Sequence, residues 1–268
     1  MKMKTLILSV VLLFSASMLI AESTNAPQGA TNAFEKYYGQ VLESATRGDL
    51  DALLYIDYEL QDGKIPEALL NLGYTVTVAT DWYDFSDKLN TGNYGLAVAF
   101  NQNASWGAWK PDVLTALTNY IAGGGVVVFN DWTTNNDFAV LFEVSFTGNF
   151  NQTIMNLDPS IEYNVPNPIT LSNAGWSIFS TGLVPIAGGI PLATFANGET
   201  ALVRGNGGKT IILGYLTDAP PAAHRQQLFE NLLVAVAPSP PVPLSNWALY
   251  LGILLMLTFV VIRFRRMM

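Results

Sequence analysis

Residues 110–131 read KPDVLTALTNYIAGGGVVVFND. The first part has helical spacing. Pro111 lies near its start, Val113, Leu114, Leu117 and Ile121 recur at intervals that keep to one face, and three glycines stop it. The second part, VVVFND over 126–131, has no polar face. A strand with no polar face must be covered on both sides, which places it inside a parallel sheet between helices.

The same rhythm extends in both directions. ALLYID (52–57) is a short apolar run read as a buried strand. KIPEALLNLG (64–73) has helical spacing and ends at Gly73, a good C-terminal cap. YTVTVAT (74–80) is rich in β-branched residues and predicts a strand; DFSDKLNTG (84–92) predicts a short helix or turn, and YGLAVAFN (94–101) another strand. NNDFAVLFEV (135–144) predicts the next helix. Residues 145–198 are rich in Asn, Pro, Gly and Thr and predict short strands and loops. TALVRGNGGKTIILGYL (200–216) predicts two strands joined by a Gly-rich turn. AHRQQLFENLLVAV (223–236) predicts a helix with Leu228, Leu232 and Leu233 on one side. There is no internal repeat. The expected fold is α/β, a mostly parallel sheet with helices on both faces, over residues 50–236.

The two ends of the 268-residue chain differ from this middle. MKMKTLILSVVLLFSASMLIAES opens with Lys2 and Lys4, then an apolar run from Thr5 to Ile20, then Ala21. This predicts a signal peptide over 1–21, either cleaved or kept as an N-terminal anchor. Residues 22–49 form a polar leading segment. The proline-rich stretch 237–246 is a spacer. Residues 247–262 carry no charge and predict a transmembrane helix of about 24 Å, slightly short of a ~30 Å hydrocarbon core. Trp247 suits the interface, and Arg263, Arg265 and Arg266 in the last segment, 263–268, stay cytoplasmic under the positive-inside rule. The domain then faces outward, in the periplasm of an inner-membrane-anchored protein. A buried C-terminal core helix fits poorly, because the run has no polar face and ends in arginines.

Charge and cysteine content exclude several functions. Eight basic residues face 21 acidic ones between the ends, a net −13. Such a surface repels phosphate backbones, so nucleic acid is not an expected partner. The chain has no cysteine and one histidine, His224. Disulfides, zinc–thiolate sites and thiol nucleophiles are excluded.

Val242, Pro243, Leu244, Ser245, Asn246 and Trp247, followed by the apolar run and the arginines, resemble the IPTL-CTERM sorting signal. That family is similar to the PEP-CTERM signals handled by exosortases of Gram-negative bacteria. The chain lacks the family's threonine before Leu244 and has Ala248 where the family has glycine. The resemblance covers about the last 27 residues. It implies an exosortase-type partner, transient anchoring in the bilayer, then cleavage and transfer to the cell surface or matrix. A permanent single-pass anchor is the plain alternative.

The middle resembles the class I glutamine-amidotransferase-like group of flavodoxin-like folds. The resemblance rests on the order of three pieces: DALLYIDYELQDGKIPEALLNLGYTVTVAT, LTNYIAGGGVVVFND, and GNGGKTIILGYL with LFENLL. Catalytic members place a cysteine after the strand that is VVVFND here, with a histidine and a glutamate further on. This chain has Asn130, Asp131 and Trp132 there, and no Gly-x-Ser-x-Gly elbow. The resemblance therefore implies a non-catalytic member.

Three motifs carry no chemistry. DYELQDGKI (57–65) hints at a calcium loop, but aligning Gly63 with the glycine of an EF-hand puts Tyr58 and Leu60 at ligand positions. GNGG (205–208) lies between two strands and lacks Gly-Lys-Ser/Thr, so it reads as a turn. His224 serves no evident nucleophile and reads as a surface or helix-capping residue. No catalytic residue, cofactor or metal is expected. One constellation remains, because open parallel sheets bind ligands outside the carboxyl ends of their strands. Those ends hold Asp57, Glu59, Asn101, Gln102, Asn130, Asp131 and Trp132, with Asp218 nearby. Carboxylates, amides and an indole suit a polyol, although strand ends of any such fold are polar. The expected function is an exported, non-catalytic domain that binds glycan or protein in the envelope or matrix. The alternative is an exported hydrolase-like enzyme acting on carbohydrate through strand-end carboxylates.

Overall fold

The computed structural model describes residues 50–236. The expected signal peptide, leading segment, spacer, transmembrane helix and basic tail lie outside these residues, as do the motif Val242–Trp247 and Arg263, Arg265 and Arg266. No helix among the described residues is long and apolar enough to cross a membrane.

Strand β1 (Asp51–Ile56) leads through helix α1 (Ile65–Asn71) to β2 (Thr75–Val78). Helix α2 (Trp82–Thr91), β3 (Leu96–Asn101), α3 (Lys110–Ala122) and β4 (Val126–Asp131) follow. After a short helix α4 (Asn136–Ala139) and a 3-10 turn at Val140–Phe142, the chain builds seven strands. These are β5 (Val144–Phe150), β6 (Ile154–Leu157), β7 (Ile169–Thr170), β8 (Thr181–Pro185), β9 (Ile190–Phe195), β10 (Thr200–Gly205) and β11 (Thr210–Leu213). Helix α5 (Arg225–Val236) closes the described chain.

The strands form one sheet in the order β2-β1-β3-β4-β11-β10-β9-β6-β7, with β8 paired to β10 and β5 to β8. The five strands β2, β1, β3, β4 and β11 are parallel. Their spatial order is the 2-1-3-4-5 order of flavodoxin-like doubly wound folds. Every pairing beyond β11 is antiparallel. This corrects the expectation of a mostly parallel sheet. The sheet is mixed, because no helix intervenes between the strands of residues 144–205, which pair antiparallel, β5 with β8 and β6 with β9, instead of crossing over.

The three glycines of the opening stretch explain how α3 feeds β4. Gly124 donates its N–H to Ile121 O and Gly125 donates to Tyr120 O, the paired bonds of a Schellman cap. Gly124 has φ +88°, a conformation that costs a side-chain-bearing residue. The same cap ends α1, where Gly73 donates to Leu70 O and Tyr74 to Leu69 O. The helix expected over 135–144 is shorter. Glu143 adopts φ +58° and ends the 3-10 turn, and Val144 already belongs to β5.

β4 is buried along its whole length. On one face Phe129 stacks on Phe142, with ring centroids 4.6 Å apart. Trp82, Phe85 and Leu89 of α2 and Val113, Ala116 and Leu117 of α3 complete that layer. On the other face Phe100 of β3 meets Phe229 of α5 edge-on at 5.9 Å. Helices thus cover both faces of the parallel half, and the core is one layer on each side of it.

Candidate ligand crevice

The carboxyl ends of β1, β3, β4 and β11 lie along one edge of the parallel half, and their polar residues divide into three groups. In the first, Asp57 follows β1 and holds the loop that follows β3. Its Oδ1 accepts the Gln102 backbone N–H at 2.6 Å, and its Oδ2 accepts those of Asn103 at 2.8 Å and Ala104 at 2.6 Å. Burial raises its pKa, and these backbone donors pull it back only in part.

The second group clasps the loop after β11. Thr217 donates its backbone N–H to Gln102 Oε1 at 2.7 Å and its hydroxyl to Glu59 Oε1 at 2.6 Å. Burial raises the pKa of Glu59, the Thr217 hydroxyl opposes that, and the charges of Asp218 and Asp62 add to it. Asp218 is itself occupied by the indole N–H of Trp176 and the backbone of Gln61. Arg225 binds the same two loops together, donating to Asp62 O, Gln61 Oε1, Asp218 O and Pro220 O.

The third group closes the end of β4. Asp131 accepts from Asn101 Nδ2, Trp106 Nε1, Thr133 N and Oγ1, and Asn135 N. Asn130 donates its amide to Leu213 O and Tyr215 O, which ties β4 to β11. Asn130, Asp131 and Trp132 line a cavity of about 10 Å³, together with Thr181 and Tyr215. That is room for about one water molecule. Asn130 Oδ1, Trp132 Nε1 and Thr181 Oγ1 are buried without a protein partner.

The seven sequence-predicted residues therefore do not form one site. Of these, only Asp57 borders the larger crevice, a volume of about 330 Å³ lined also by Tyr55, Tyr58, Asp81, Trp82, Tyr83, Asn103, Ala104 and Trp109. This crevice lies outside the carboxyl ends of β1, β2 and β3. The strand order reverses between β1 and β3, and open α/β sheets place their ligands at that switch point. The volume falls within the ~300–1,000 Å³ of small-molecule sites.

The aromatic walls are the part that sequence reasoning missed. Trp82 and Tyr83 come from the start of α2, where Asp81 caps the helix by accepting the Asp84 N–H at 2.8 Å. The sequence pattern predicts this helix only from Asp84, which leaves these rings in a loop with no assigned direction. Trp109 comes from the start of α3. Trp82 is 3 % exposed and packs edge-on against Tyr55 at 4.5 Å. Tyr83 is 48 % exposed and meets Trp109 edge-on at 6.3 Å. The signal available in the sequence is an aromatic pair in the segment between strand and helix, TDWYD after β2 and SWGAW after β3, of which Trp82, Tyr83 and Trp109 line the crevice.

The chemistry of the crevice is mixed. The indole N–H groups of Trp82 and Trp109 are buried and have no acceptor among the described residues. Asp81 and the side-chain amide of Asn103 supply acceptors at the mouth. No lysine or arginine lines it. Burial raises the pKa of Tyr55, and the charges of Asp57 and Asp81 raise it further, so the wall is electronegative. Among the described residues no group of three His, Cys, Asp or Glu is placed to hold a metal ion. The three carboxylates of the 57–65 stretch diverge: Asp57 to the β3 loop, Glu59 to Thr217, Asp62 to Lys64. His224 stands one residue before α5, and its carbonyl accepts the N–H of Leu228. GNGG forms the connection between β10 and β11, with a 3-10 turn at Asn206–Gly208.

Fold and site together define an open, doubly wound α/β domain with an aromatic crevice at its switch point. No protein-family model matches the chain. No curated protein matches it either. Solved structures are similar to it. One is a protein described as a GMP synthase subunit from Thermoplasma acidophilum, 14 % identical, TM-score 0.47, covering 70 % of this chain and 93 % of that one. Another is a glutamine amidotransferase from Thermotoga maritima, 10 % identical, TM-score 0.47, covering 69 % and 94 %. A third is the β-galactosidase of the psychrophilic Marinomonas ef1, 13 % identical, TM-score 0.43, covering 70 % of this chain and 28 % of that chain. The fold assignment rests on the strand order and not on these similarities.

Proposed function

We propose that this is a non-catalytic, glutamine-amidotransferase-like domain that binds a neutral saccharide in the crevice at the β1/β3 switch point. The observation that carries the reading is the presence of exposed aromatic rings and hydrogen-bonding side chains around one crevice. Tyr58 and Tyr83 are 47 % and 48 % exposed, and Asp81 and Asn103 belong to the same lining. A sugar ring has an apolar face for the aromatic rings and hydroxyls for the polar groups. An anionic ligand would meet Asp57 and Asp81 with no cation to balance it.

The strand-end carboxylates support a binding role over the hydrolase alternative. Asp57, Asp131, Asp218 and Glu59 all hold loops through hydrogen bonds to their own protein. A general acid or nucleophile needs an oxygen free to meet the substrate.

The same reading puts the domain outside the cytoplasm, tethered by residues 247–262, with an exosortase-type enzyme as the partner that processes the tail. The supporting features are the apolar run, the arginine cluster and the order of the terminal motif. Mass spectrometry of the mature chain tests this. Loss of the residues after the Val242–Trp247 motif is expected, and an intact C-terminus at Met268 in secreted material would overturn it.

A broad glycan array probed with the full chain tests the binding reading. Retention of neutral oligosaccharides is expected, at least tenfold weaker for Trp109→Ala. A correctly folded protein, verified by circular dichroism, that retains no saccharide overturns it.

A further inference from the structure

The crevice does not end at its own rim. Tyr58, which lines it, is 47 % exposed, and its ring meets Trp176 edge-on at 5.8 Å. Trp176 comes from residues 172–177, a loop of the antiparallel half that the crevice itself does not include. That loop is anchored at two points, to Asp218 after β11 and to Gln61 after β1. Trp176 Nε1 donates to both oxygens of Asp218 at 2.9 Å, and Gln61 Nε2 donates to Ala174 O at 3.3 Å. Tyr83 and Trp109, which also line the crevice, form a second edge-on pair, half open to solvent at Tyr83. Two aromatic pairs therefore contribute to the lining, and Trp176 extends one of them beyond it. A pocket built for a single terminal sugar has no use for a ring beyond its lining, whereas a longer chain finds an exposed ring in each pair.

We infer that the crevice, on the saccharide reading above, holds the interior of an extended neutral polysaccharide. One sugar sits against Asp81 and Asn103, and the neighbouring units stack on the exposed rings of Tyr58, backed by Trp176, and of Tyr83, backed by Trp109. The ligand class is an unbranched neutral glycan several units long, not a monosaccharide or a chain end. The aromatic faces supply affinity along the chain, and the carboxylates and the Asn103 amide select hydroxyls over anionic substituents.

Chain-length ladders test this. The full chain, kept in detergent, is titrated calorimetrically with cellodextrins, maltodextrins and laminaridextrins from dimer to heptamer. In the ladder that binds, affinity is expected to rise about tenfold or more from dimer to pentamer and then level off. Trp176→Ala is expected to flatten that rise. Trp176→Phe keeps a stacking face but drops the same bond to Asp218, and it is expected to keep most of the rise. This separates stacking from any loosening of the loop. Equal affinity for every length, or a rise lost equally in Trp176→Phe and Trp176→Ala, overturns the extended-chain inference and leaves the saccharide reading standing. No binding of any ladder member, or of any saccharide on the array, overturns both.

Discussion

The side-chain amide of Asn101 donates to Asp131 Oδ1 at 3.0 Å, and the two residues are register partners at the carboxyl ends of β3 and β4. Asp131 also gathers Trp106, Thr133 and Asn135, so one buried carboxylate ties together two strand ends and the loops that follow them. Asp131→Ala leaves these donors without an acceptor and is expected to cost roughly 3 kcal/mol of stability. Urea unfolding followed by circular dichroism measures it. A change below about 0.5 kcal/mol, the size of an ordinary surface substitution, would mean that Asp131 is free for other work.

Phe129 stacks with both Phe138 and Phe142 and has no exposure to solvent. Phe129→Ala is expected to cost about 3–5 kcal/mol, the transfer of a ring plus the cavity it leaves. The same denaturation experiment reads it. Combined with Phe142→Ala, the loss should be less than additive, because the two rings share one contact.

Gly124 sits at φ +88° in the cap between α3 and β4, and an added Cβ would lie 2.9 Å from Lys209 Nζ. The lysine end can move away; the backbone conformation cannot be changed without breaking the cap. Gly124→Ala is expected to cost about 1–2 kcal/mol and Gly124→Asn less, since asparagine tolerates this region better. Thermal melts of the two variants check the order.

Glu59 titrates above its ordinary value in the folded protein, chiefly because it is buried. The folded state therefore binds its proton more tightly than the unfolded chain does. The stability this carboxyl contributes is complete below its unfolded value near 4.5 and is lost as pH rises through the folded value. Glu59→Gln imitates the protonated form and keeps an acceptor for Thr217. At neutral pH the variant is expected to be at least as stable as the wild type, and its relative advantage should vanish as the pH falls through the folded value. Urea unfolding from mildly acidic to neutral pH reads the crossing; a pH-independent difference would place the cause elsewhere.

At the crevice, Tyr83 is 48 % exposed and rests edge-on against Trp109. Tyr83→Ala is expected to weaken saccharide binding about three- to tenfold through lost contact area, and Tyr83→Phe to leave it nearly unchanged. Calorimetric titration reads both; equal losses in the two variants would assign the effect to the hydroxyl and not to the ring.

The strands and helices of the parallel half were legible in the chain because their signals are local. Val126–Phe129 has no polar face, Ile65, Ala68 and Leu69 share a stripe, and Gly73 and Gly124 mark caps that need a left-handed backbone. The hairpin at Asn206–Gly208 declared itself in the same way. The arrangement of residues 144–195 was not legible, because antiparallel pairing among short polar strands depends on partners far along the chain. The site divides along the same line. Polar strand ends could be named from the sequence, but which of them are consumed by hydrogen bonds depends on loops brought from 45 to 158 residues away, as with Asp57 and Gln102 or Glu59 and Thr217. Composition alone excluded thiol chemistry, since no cysteine exists to perform it. That the free surface is a crevice walled by Trp82, Tyr83 and Trp109 was decided only in three dimensions, where helix starts that are separate in sequence converge over the strand order's reversal.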